Sequence, residues 1–138
     1  MKMKSREIES ILVNLLKMDE RKFPFKLRYA IGRNIENLKK EYDRLDEERI
    51  KICKEFCKKD KDGNPVMVRI DNSTTYAFSG DNEKKCNEAY REVLDTETEI
   101  YLFTVEPGVL EMCDTVGEYD IPTVKEQRAL LFMVEEKK

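Results

Sequence analysis

The chain has 138 residues, of which 40% are hydrophobic and 40% charged, against a charged share of about 25% in ordinary globular domains. Its 26 basic and 29 acidic side chains leave a net charge of −3, so there is no overall field to draw it to DNA, RNA or an anionic membrane. The absence of histidine removes the commonest general base, the commonest metal ligand and every nucleophile arrangement built on an imidazole.

Apolar spacing predicts a first helix over 5–18, capped by Ser5, with Glu7 in its first turn and Ile8, Ile11, Leu12, Leu15 and Leu16 on one stripe. Pro24, tolerated at a first helical position, opens a second and much longer helix that runs to Lys59. Its apolar positions follow a heptad rhythm, giving a seam of Leu38, Tyr42, Leu45, Arg49, Ile52 and Phe56. Glu36–Lys40, Glu47–Lys51 and Glu55–Lys59 supply acid-before-base pairs on the outside. The short first helix cannot cover that seam, so the rest of the chain, another copy or a partner protein must pack on it, and a homo-oligomer or partner contact is the expectation over intrachain cover by the later helices. Arg49 would fix the register there.

The stretch KKDKDGNPV then has the look of a calcium loop. An EF-hand needs glycine at its sixth position and glutamate at its twelfth. Starting at Asp60 places Pro65 and Asp71 there, and aligning Gly63 to the sixth makes Lys58 the first ligand and Arg69 the last. Both registers fail, and Asp62-Gly63-Asn64-Pro65 reads as a turn. Two short strands, Val66–Ile70 and Thr74–Phe78, follow around the loop Asp71-Asn72-Ser73, and then a helix over 81–94. The segment 97–105, rich in β-branched and aromatic residues, reads as the strongest strand. A helical turn over 106–114 and a last helix from Ile121-Pro122 complete the chain.

The fold class is therefore α+β: one domain over 1–138, with a helical hairpin in 1–59 and a small antiparallel sheet and C-terminal helices in 60–138. No apolar run approaches the length of a membrane span and no signal peptide is evident, so a cytoplasmic protein is expected. In that compartment Cys53, Cys57, Cys86 and Cys113 are reduced thiols. Their spacing lacks the two tight pairs of a four-cysteine zinc site. No metal and no cofactor is expected.

Five stretches together, REIESILVNLL, FPFKLRYAIGRNIENLKKEYDRLDEERIKI, KKDKDGNPV, TETEIYLFTV and LLFMVEE, resemble a family of small uncharacterised proteins encoded by tailed phages of low-GC bacteria. In that family a proline-started long helix with arginine and asparagine near its front runs into a KDxDGN turn. The resemblance covers most of the chain and implies a phage or prophage accessory protein in the host cytoplasm. It brings no catalytic residues with it. The expected function is binding without catalysis, as an antagonist of a host defence system that masks a host protein or sequesters a nucleotide signal. The alternative is a morphogenesis factor, such as a tail-assembly chaperone or minor structural protein.

Two clusters are candidates for a ligand or partner. Lys26, Arg28, Tyr29 and Arg33, with Asn34, occupy the first turns of the long helix, where free N–H groups and the dipole favour anions such as a nucleotide phosphate. The plainer reading has both arginines solvated or paired with Glu36, Glu7 or Glu9. Arg69, Tyr76 and Phe78 lie on the expected hairpin and could stack on a base or a partner side chain, unless that sheet face packs on the long helix. Gly32, unfavourable inside a helix, suggests the close approach of another backbone or of a ligand. Carboxylate pairs such as Glu97/Glu99 and Glu118/Asp120 come with no second motif, as expected by chance among 29 acidic residues.

Overall fold

The computed structural model describes residues 1–135. The chain divides into two compact units, one of residues 1–42 with 97–138 and one of residues 43–96. The division falls inside the long helix, not after it. The class is α+β, with five α-helices and two small antiparallel sheets among the described residues.

In the first unit, strand β1 (Lys2–Lys4) leads straight into helix α1 (Ser5–Lys17). Ser5 is its first helical residue and is buried; Lys4 takes the cap position, and its N–H donates to the Glu7 carboxylate at 3.2 Å. The carboxylate thus serves one of the free N–H groups that a helix start leaves. Helix α2 (Phe25–Phe56) starts just after Pro24, whose carbonyl accepts from the N–H groups of Leu27 and Arg28. Ile8, Leu12 and Leu15 of α1 and Leu27, Ala30, Ile31 and Leu38 of α2 are buried, at the three- and four-residue spacing that makes one helix face apolar. Met3, Met18, Phe23, Ile100, Val105, Val109, Cys113, Leu130 and Met133 are buried with them in this unit.

Arg21, in the link between α1 and α2, grips the far end of the same unit. Its Nε donates to Glu126 Oε2 at 3.0 Å and its NH2 to Glu126 Oε1 and the Ile121 carbonyl at 3.1 Å. Next to it, Lys22 and Asp120 exchange two bonds of 2.7 Å. Thr123 caps the short helix at Val124–Leu130 with a reciprocal box to Glu126, as the Thr-x-x-Glu spacing dictates.

The second unit begins in the later turns of α2 and continues through hairpin strands β2 (Met67–Ile70) and β3 (Ser73–Tyr76) to helix α3 (Asn82–Asp95). Its hairpin loop has two residues, Asp71 and Asn72, with φ of 48° and 66°. Paired left-handed residues match the strand twist, and Asp and Asn tolerate them better than most side chains. The expected three-residue loop was therefore one too long.

KKDKDGNPV is a turn built on Asp60. Its Oδ1 accepts from the N–H groups of Asp62 and Asn64, both at 2.9 Å, and Gly63 adopts φ +82°. Past the turn, Lys58 N–H donates to Ala77, Val66 N–H to Lys58 and Ala77 N–H to Val66, tying the end of α2 to both legs of the hairpin.

One expected strand is mostly absent. Only Glu97–Glu99 (β4) is in a sheet, antiparallel to β1 with Met3 opposite Thr98. Ile100 continues that register by exchanging two 2.9 Å bonds with Met1, and Val105 makes a single parallel bridge to Val134, while residues 101–104 have no strand partner. Helix α4 (Pro107–Thr115) and helix α5 (Val124–Leu130), the latter running into a 3₁₀ turn at Leu131–Met133, finish the first unit.

Candidate recognition surface

Two asparagines on α2 explain how residues 101–104 are held without a sheet. Asn34 is completely buried; its Oδ1 accepts from Phe103 N–H at 2.7 Å and its Nδ2 donates to Phe103 C=O at 3.0 Å. A side-chain amide here does the work of a neighbouring strand, satisfying both polar groups of one peptide residue. Asn37, three residues on and so on the same helix face, donates to Tyr101 C=O at 3.0 Å. Tyr101 and Phe103 are thereby fixed alongside the first turns of α2.

The result is a row of aromatic rings. Phe25 and Tyr29, one turn apart, have centroids separated by 5.9 Å; Tyr29 meets Phe103 edge-on at 5.9 Å; Phe103 meets Tyr101 edge-on at 5.3 Å. Edge-to-face geometry at these distances is favourable for ring quadrupoles. The Arg33 guanidinium sits 5.4 Å from the Phe103 centroid, within cation–π range, and 3.4 Å from Glu36. Three of the four rings are largely in solvent: Tyr101 is 72% exposed, Phe25 68% and Tyr29 50%.

Two hollows flank Phe25. One, of about 280 Å³, is lined by Phe25, Lys26, Tyr29, Phe103, Glu106 and Glu135 among others. The second, of about 460 Å³, lies against Pro24, Phe25, Lys26, Val109, Met112 and Tyr119. Their walls are mainly aromatic and aliphatic, with carboxylates alongside one lysine.

Of the expected site residues, Lys26, Tyr29 and Arg33 come together on this face. Arg28 does not serve it: its Nε is committed to the Phe23 carbonyl at 2.9 Å, closing the turn from which α2 starts. Arg69 and Tyr76 belong to the second unit, where Arg69 pairs with Thr74 and Tyr76 with Met67 on one face of the hairpin. Arg69 is exposed and Tyr76 half-buried. Of the expected seam, Leu38 is fully buried within the chain, Tyr42, Leu45, Ile52 and Phe56 are half-buried, and Arg49 is exposed and bonded to Asp46 at 3.0 Å. Gly32 has nothing within 4 Å of where a Cβ would stand, so no approaching backbone explains it.

Phe25, Tyr101, Phe103 and Asn37 were not among the expected site residues. Spacing places Phe25 with Tyr29 and Tyr101 with Phe103; only the asparagine bonds reveal that the two pairs meet. Among the described residues no three Asp, Glu or Cys side chains are grouped to hold a metal ion, and no helix is long and apolar enough to cross a membrane. No family model, curated protein or solved structure matches the chain.

Proposed function

We propose that this protein acts by binding and not by catalysis, and that the aromatic row Phe25–Tyr29–Phe103–Tyr101 with Arg33 is its recognition surface. In the setting implied by the phage resemblance, it is an accessory protein that antagonises a host defence by masking a host protein. One observation carries the reading. Three large rings stand half or more in water, Phe25 and Tyr29 on helix α2 and Tyr101 on a segment that Asn34 and Asn37 bond to that helix, and aromatic side chains with arginine are the residues that concentrate binding energy in protein interfaces. Capture of a nucleotide signal fits less well, because Glu106 and Glu135 line the hollow beside the rings and Lys26 is the one base among its lining residues. A phosphate there would meet like charge.

The test is capture from infected-host lysate by the tagged protein and by a Phe25→Ala/Tyr101→Ala variant, with native mass spectrometry of both eluates. Both residues are exposed, so the fold should survive the change. A host protein bound by the wild type and lost with the variant supports the reading. Equal capture by both overturns the assigned surface. Recovery of phage tail proteins alone would move the protein to morphogenesis, and a bound nucleotide would restore the signal-sequestering mechanism.

A further inference from the structure

We propose that Cys53 and Cys86 are a reversible oxidation site, a thiol pair that closes to a disulfide and locks the second unit. Cys53 lies near the end of α2 and Cys86 in α3, both within that unit. The Cys86 thiol donates to the Cys53 sulfur across 3.8 Å. A disulfide needs the sulfurs about 2.05 Å apart, so closure requires a movement of about 1.8 Å, within reach of side-chain rotation and a small helix adjustment.

Access sets the order of events. Cys53 is half-buried and can meet a small peroxide, whereas Cys86 is 4% exposed. The Cys53 thiolate attacks one peroxide oxygen and breaks the O–O bond; the other oxygen leaves as hydroxide, takes up the thiol's proton and becomes water. The product is a sulfenic acid at Cys53. Cys86 sulfur then displaces its hydroxyl, forming the S–S bond and releasing a second water. Two thiols are oxidised and one hydroperoxide is reduced, so the balance closes with hydrogen peroxide as the oxidant. Cys57, also buried and just past the end of α2, donates instead to the Lys54 carbonyl in the last turn of that helix at 3.6 Å. Burial pushes the Cys86 thiol up to about 11, so at neutral pH it is a thiol that does not compete for the peroxide, and it gives up its proton to the departing hydroxyl only as the S–S bond forms. The bond would close a span of 33 residues holding the Asp60 turn and the hairpin, and a loop of that length restricts the unfolded chain substantially.

The experiment treats the folded full-length protein with hydrogen peroxide, blocks remaining thiols, and maps peptides without reduction. The expected product is a cross-linked peptide pair containing Cys53 and Cys86, absent after dithiothreitol and absent from both Cys53→Ser and Cys86→Ser. Cys57→Ser and Cys113→Ser should retain it. The oxidised protein should melt roughly 5–10 °C higher than the reduced form. Circular dichroism of each variant checks that the fold is intact. Over-oxidation of Cys53 to sulfinic acid in the folded protein with no cross-link overturns the proposal, as does a cross-link that appears only in denaturant.

Discussion

Replacing Asn34 tests whether the recognition face depends on a single buried amide. In Asn34→Ala the Phe103 N–H and C=O lose their partners at 2.7 and 3.0 Å, and the weaker contact to Met133 Sδ at 3.6 Å goes too. A hydrogen bond contributes about 0.5–1.5 kcal/mol net, and a buried group left without a partner costs about 1–3 kcal/mol. Phe103 is only half-buried, so water can recover part of that loss. The truncation also leaves a void at a site with 0% exposure. Together these give about 2–4 kcal/mol, a fall in melting temperature on the order of 10 °C. Asn34→Leu separates the causes, since it restores volume and leaves both peptide groups unpaired. Asn34→Asp keeps the acceptor but turns a carboxylate oxygen toward the Phe103 carbonyl, so it should be at least as damaging at neutral pH. Denaturant unfolding measures the cost, and near-ultraviolet circular dichroism of the tyrosines follows the row. If Asn34→Leu is as stable as the wild type and binds its partner equally well, the amide clamp does not position the face.

Gly32→Ala should stabilise the protein by about 0.5–1 kcal/mol, since the new methyl meets nothing within 4 Å; a loss of stability in denaturant titration would mean that the glycine is needed. Asp60→Ala should cost about 1 kcal/mol through loss of its two 2.9 Å bonds, and calcium or zinc should leave the melting temperature of the wild type unchanged; a rise of several degrees abolished by Asp60→Ala would contradict this. Burial, the Cys53 hydrogen bond and the negative charge of Cys53, Cys57 and Glu83 raise Cys86 from 9.0 to about 11. Because the folded state holds this proton to higher pH than the unfolded chain, its contribution is complete below pH 9, is lost as pH rises towards 11, and should vanish in Cys86→Ala. Self-association through α2 is proposed on Tyr42, Leu45, Ile52 and Phe56, which are half-buried; in sedimentation equilibrium Leu45→Glu should dissociate it and Glu47→Lys on the exposed side should not, and a wild-type monomer at tens of micromolar would end the idea.

The helices were legible because burial on a helix recurs every three or four residues and the apolar positions of α1 and α2 follow that period closely. Segment 97–105 was misread for a definite reason. Its alternation and composition are those of a strand, but strand propensity describes side chains suited to a pleated surface and says nothing of what bonds the backbone. Here the partner of Phe103 is the side chain of Asn34. An asparagine in a helix gives no sign of which distant peptide it will meet. The hairpin loop was misplaced by one residue because Asn72 at φ 66° occupies a conformation usually left to glycine.

The same substitution of amide for strand bears on function. A full β-partner for residues 101–104 would be several residues long and would cover one edge of the segment. Asn34 and Asn37 bond it at two carbonyls and one N–H, and the Phe103 ring meets both Tyr29 and Tyr101 edge-on. Tyr101 remains 72% exposed on a backbone that Asn37 bonds. On the binding reading proposed above, the ordering cost of this segment is met in the free protein, leaving more of the ring burial to appear as affinity.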